Sequence, residues 1–122
     1  MHEYPVTEQI IKIASEAARE HDAARVSLIR LVVGEQSGFV GDSIQMYFDI
    51  LAVGTLCQGA ALEMEYVKAQ WICPGCDCYY VREPLSFACP QCGQDGLPSE
   101  VGKEFYVKDI EIEGRKDDES VC

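Results

Sequence analysis

Cys73-Pro74-Gly75-Cys76 and, after twelve intervening residues, Cys89-Pro90-Gln91-Cys92-Gly93 form two Cys-x-x-Cys knuckles. A two-residue gap lets both thiolates of one knuckle reach the same metal, and two knuckles complete the four-sulfur set of a structural zinc ion. Sulfur is a soft ligand, and four of them leave no open position, which selects zinc and argues against catalysis at that metal. Gly75 and Gly93 are expected to permit the tight turns that aim backbone amides at the sulfurs. The competing readings are an iron–sulfur cluster or two redox dithiols. A redox Cys-x-x-Cys opens a helix in a βαβ unit, whereas these lie in Pro/Gly-rich turns. Cys78 is an alternative to Cys76 as ligand, while Cys57 and Cys122 read as free thiols without a role.

The ribbon carrying these knuckles holds few large apolar side chains, namely Trp71, Leu85, Phe87 and Leu97. A segment of about 30 residues cannot fold on those alone, so the metal is expected to hold it together. Working outward, residues 61–68 alternate, with Leu62, Met64 and Tyr66 on one face and Glu63 and Glu65 on the other, a strand with one wet face. On the far side, residues 104–112 read as another strand in which Tyr106, Ile110 and Ile112 share a face, interrupted by Lys108.

Nearer the start, residues 25–33 are mostly apolar on both faces and end at Gly34, which predicts a central strand. Two helices flank that strand. Residues 5–21 carry an apolar stripe of Val6, Ile10, Ile13, Ala14, Ala17 and Ala18, with Pro5 in the first turn. A second helix, capped by Asp42 or Ser43, buries Ile44, Tyr47, Phe48 and Leu51 and ends at Gly54. The expected fold is α+β: a small three-stranded sheet with two helices, and a four-cysteine zinc-ribbon subdomain inserted before the last strand. Residues 1–69 and 101–114 then make one α/β domain and 70–100 the ribbon, with 115–122 a polar, flexible tail.

The chain has 122 residues, 48% hydrophobic and 25% charged, the composition of one ordinary globular domain. Its formal net charge of −11, from 21 acidic against 10 basic residues, repels phosphate backbones and anionic lipid heads, so nucleic acid and membrane are not expected partners. No apolar run approaches the roughly 20 residues of a membrane helix, and the first residues lack the pattern of a signal peptide, which predicts a cytoplasmic protein. Seven cysteines there point to metal chemistry rather than disulfides.

Met1-His2-Glu3 is a second constellation. An amino-terminal amine, an imidazole, backbone nitrogens and a carboxylate form a nitrogen- and oxygen-rich set that suits nickel(II) or copper(II). The bland reading is a histidine at a frayed end. His21 reads as a helix C-terminal residue. A thiol enzyme using Cys78 or Cys57 lacks a base, since neither histidine is placeable near them.

Together these segments resemble the HypA (HybF) family, which delivers nickel during maturation of [NiFe]-hydrogenases. The likeness runs from Met1-His2-Glu3 through Val33-Gly34-Glu35-Gln36-Ser37-Gly38, Phe48-Asp49, Gly54-Thr55-Leu56, Gly59-Ala60-Ala61-Leu62-Glu63 and the knuckles to the last strand. It departs at Tyr4-Pro5 and in the charged tail. The resemblance implies a metallochaperone, not an enzyme, with nickel at His2, Glu3 and the Met1 amine and zinc at Cys73, Cys76, Cys89 and Cys92. It implies as partners a HypB-type GTPase and the hydrogenase large-subunit precursor, with urease maturation as an alternative target, and a monomer or homodimer. A zinc-ribbon interaction module without transported metal is the rival function.

Overall fold

The computed structural model describes residues 3–115. Helix α1 spans Glu3–Glu20 and begins two residues before Pro5, whose missing N–H falls in the first turn where no intrahelical bond is lost. Its buried face is Thr7, Ile10, Ile11, Ala14, Ser15 and Ala18. That face is rotated from the predicted stripe. Ile13 is 49% exposed, and the small polar Thr7 and Ser15 take inward positions that an apolar count overlooks. Thr7 satisfies its hydroxyl on the Glu3 carbonyl, and Ser15 lies against the Cys57 sulfur at 3.6 Å.

Strand β1, Ala23–Gly34, is the central strand of a three-stranded sheet ordered β2-β1-β6, with β2 at Ala61–Val67 and β6 at Phe105–Arg115. Val26, Ile29 and Leu31 are fully buried, as the β-branched run requires. The opposite side of the sheet is charged. Arg30 reaches Asp109 at 2.8 Å, Glu111 at 2.7 Å and Glu63 at 3.2 Å, while Lys108 meets Glu65 at 3.2 Å. Lys108, which interrupts the last strand's apolar face in sequence, thus finds its partner on β2, beyond the central strand.

Helix α2 spans Gly41–Leu51, packs against α1, and buries Ile44 and Phe48. The expected cap at Asp42 or Ser43 is corrected: the N-cap is Val40, in extended backbone and without a side-chain cap of its own. Asp42 lies instead in the first turn, where its charge favours the helix N-terminus. The Val40 N–H donates to the Glu3 carboxylate at 3.2 Å, and the Tyr4 and Tyr47 rings meet edge-on at 5.5 Å.

A second three-stranded antiparallel sheet, ordered β4-β3-β5, is made of β3 (Trp71–Cys73), β4 (Cys78–Tyr80) and β5 (Leu97–Pro98). These strands hold two or three residues each, too few to leave a periodic signal in sequence.

The chain divides into two compact units. One comprises 1–31, 39–65 and 106–122, the other 32–38 and 66–105. Within the second unit, Gly34 and Gly102 meet backbone to backbone. A Cβ on Gly34 would lie 2.2 Å from the Gly102 carbonyl oxygen, which explains why the run ends in glycine. Among the described residues, no helix is long and apolar enough to cross a membrane.

Candidate metal centre

Each knuckle is a turn closed by a backbone bond across four residues. The Asp77 N–H donates to the Cys73 carbonyl at 2.7 Å, and the Gly93 N–H to the Cys89 carbonyl at 2.8 Å. The residue after the second cysteine of each pair takes positive φ, 55° at Asp77 and 77° at Gly93. Aspartate and glycine are residue types that tolerate this conformation. Gly75 therefore serves differently from the sequence expectation. Its φ is ordinary, and what it supplies is space, since a Cβ there would lie 2.5 Å from the Gln94 side-chain oxygen.

The turns bring Cys73, Cys76, Cys89 and Cys92 together with all four Sγ atoms within 4.8 Å of one another, and Cys73 and Cys92 at 3.5 Å. A zinc ion with sulfurs at about 2.3 Å requires tetrahedral edges of about 3.8 Å, inside that range. Backbone amides point at the sulfurs, Cys76 N–H to Cys73 and Gln91 N–H to Cys89, each at 3.4 Å. Such bonds favour thiolate. The Cys92 and Gln91 amides hold the Cys89 thiol down to about 6. The Cys76 thiol is pushed up, first by sharing a proton with the Cys92 sulfur and then by burial. Thiols must lose their protons to bind a divalent ion, so loading this set releases protons. The donors fit zinc, and these four cysteines would hold it.

Two residues absent from the sequence reading complete the module. Tyr80 is buried beside Cys73 and Cys89, donates its hydroxyl to the Phe87 carbonyl and accepts the Gly96 N–H at 3.1 Å. Gly96 leaves room for that hydroxyl, because a Cβ would lie 2.4 Å from it. Arg82 lies over the rings of Phe87 (4.8 Å) and Trp71 (5.8 Å), covering apolar surface that the ribbon cannot bury. Only the adjacent aromatics Tyr79-Tyr80 after the first knuckle hint at this in sequence.

The remaining candidates lie apart from that set. Cys57 is fully buried next to Ser15, and burial raises its thiol. Cys78 packs beside the cluster without belonging to the four. His21 is exposed and joins no metal-holding group among the described residues. Glu3 is nearly buried, one carboxylate oxygen engaged by Val40. Met1, His2, the tail 116–122 and its Cys122 lie outside the described residues.

Comparison with known proteins agrees with this architecture. A family model described as HypA, hydrogenase/urease nickel incorporation, metallochaperone, matches residues 1–112. The hydrogenase maturation factor HypA of Caldanaerobacter subterraneus subsp. tengcongensis is 38% identical, covering 93% of this chain and 100% of the relative. That of Dehalococcoides mccartyi is also 38% identical, over 98% of both. Among solved structures, a solution structure of a HypA protein superposes with a TM-score of 0.69 at 22% identity, covering 92% of this chain and 96% of the other. The Ni metallochaperone HypA from Helicobacter pylori superposes with 0.62 at 21%, covering 93% and 98%, so the fold is shared at low identity. With its two helices, its four-cysteine cluster and a family match over nearly its whole length, the chain belongs to the HypA family of hydrogenase and urease nickel-incorporation metallochaperones.

Proposed function

We propose that the chain carries nickel(II) at its amino terminus, on the Met1 amine, His2 and Glu3, and hands it on for maturation of [NiFe]-hydrogenase. The supporting observation is Met1-His2-Glu3 itself, in a chain that the family model matches from its first residue. A carrier needs a site that a recipient's ligands can strip, and a few nitrogen and oxygen donors at a chain end meet that need. Four thiolates closed around zinc do not. The two metals therefore have opposite tasks, zinc structural at Cys73, Cys76, Cys89 and Cys92 and nickel as cargo, with residues 1–69 and 101–114 forming the nickel domain.

In this reading the chain catalyses nothing. It works in the cytoplasm with a HypB-type GTPase and the hydrogenase large-subunit precursor. Isothermal titration of nickel into the untagged, zinc-loaded protein tests the site: His2→Ala is expected to abolish tight binding with the fold unchanged, and unchanged affinity would sink the proposal. Because imidazole must be neutral to ligate, affinity should fall as pH drops through about 6.5, histidine's ordinary pKa.

A further inference from the structure

The ribbon holds five thiols among its described residues, one more than zinc can take. Cys78 opens β4 directly opposite Cys73 in the β3–β4 pairing. Residues directly paired across antiparallel strands present their side chains on the same face. Cys78 accordingly packs with Trp71 and Cys76 against the buried group Cys73, Tyr80 and Cys89, and its sulfur lies 3.9 Å from the side-chain oxygen of Gln91, inside the second knuckle. The four ligands themselves are unequal: Cys73 and Cys89 are buried, Cys76 is partly buried, and Cys92 is exposed.

Spacing permits an exchange. Cys73-Pro74-Gly75-Cys76 has two residues between cysteines, and Cys73 to Cys78 has four. Both gaps fall within the two-to-four range of structural zinc ligands. Cys76 and Cys78 also flank Asp77, whose left-handed turn ends the first knuckle. We propose that Cys78 is a reserve zinc ligand that takes the place of Cys76, so that the zinc is held by Cys73, Cys89 and Cys92 with either sulfur in the fourth position. In the exchange the zinc–Cys76 sulfur bond breaks and a zinc–Cys78 sulfur bond forms. The Cys78 thiol proton passes to the departing Cys76 thiolate, so the charge of the site is unchanged and no redox partner is needed.

The proposal rests on the zinc assignment, and its test separates the two. The full chain is loaded with cobalt(II) in place of zinc, and the sulfur-to-metal charge-transfer band is compared among native protein, Cys76→Ser, and Cys76→Ser/Cys78→Ser. The native band with four-thiolate intensity establishes the parent site; its absence would overturn the zinc assignment and this inference with it. Given that band, Cys76→Ser should keep one metal per chain at four-thiolate intensity. The double variant should lose one thiolate's share of the band or lose the metal altogether. A Cys76→Ser band already reduced to the level of the double variant overturns the proposal.

If Cys76→Ser does not fold, alkylation of native zinc-loaded protein followed by mass spectrometry decides. Exchange predicts a population labelled at Cys76, and at no other ribbon cysteine, that still carries zinc. Labelling of Cys76 only in molecules that have lost zinc overturns the proposal.

Discussion

The first unit and the ribbon solve the same problem with different materials. In the first, Phe48, Ile29, Leu31, Ile44 and Val26 are all less than 2% exposed, large side chains from helix α2 and the central strand. In the ribbon, the buried residues around the knuckles are Cys73, Tyr80 and Cys89, and of the four expected apolar anchors only Trp71 packs against them, while Leu85 is 101% exposed, Leu97 59% and Phe87 48%. Fully burying a large apolar side chain contributes about 1.5–3 kcal/mol, a source the first unit uses repeatedly and the ribbon scarcely uses. A metal on the four cysteines is the expected replacement for that source.

Chelation should break the comparison open most widely. Structural zinc contributes on the order of 10 kcal/mol to a module of this kind, more than its sparse core replaces. Removing it should expose the amides of Cys76, Asp77, Cys89 and Gly93 to exchange. Those of Val26, bonded to the Leu56 carbonyl at 2.8 Å, and of Ala52, bonded to Phe48 at 2.9 Å, should remain protected. Equal protection of the ribbon with and without chelator would show that its hydrogen bonds suffice and the metal does not.

The same contrast explains what was legible in the sequence. The four-cysteine cluster was readable because ligand spacing is a local constraint, set by two turns that need no tertiary help. The central strand was readable because its run of β-branched and apolar residues favours extended, buried backbone, even though Arg30 turns one face to the charged side of the sheet. The inward stripe of α1 was not, because Thr7 and Ser15 are buried through partners that exist only in the folded chain, the Glu3 carbonyl and Cys57. For the same reason the start of α2 was misplaced. Asp42 and Ser43 have the chemistry of caps, yet the carboxylate that engages Val40 comes from Glu3, 37 residues earlier. Three ribbon strands of two or three residues could not be seen at all, since their register follows from the knuckles rather than from side-chain alternation.

An intermediate effect is expected in the first unit. Phe48→Ala empties a fully buried site and should cost about 3–5 kcal/mol, read as a lowered midpoint in urea. Zinc content measured under native conditions should stay at one per chain, because the four-cysteine cluster lies in the other unit. Loss of zinc together with the lowered midpoint would mean that the two kinds of core are one cooperative system, and the comparison would have to be redrawn.

The smallest effect should come from the charged side of the main sheet. Arg30 stands between buried Ile29 and Leu31 with its own side chain one-third exposed, and its guanidinium serves three carboxylates on two neighbouring strands. Those carboxylates, Asp109 first, hold its proton more firmly than usual. Exposed ion pairs are individually weak, so the three bonds matter less than what their removal leaves behind. Arg30→Met keeps the aliphatic stem and strands Glu63, Asp109 and Glu111 as mutually repelling neighbours. The thermal midpoint should fall by less than for Phe48→Ala, and the loss should shrink as salt is raised, because screening weakens both the lost attraction and the new repulsion. A loss that does not change with salt would place the role of Arg30 in packing its stem against the sheet rather than in holding three acidic strand residues together.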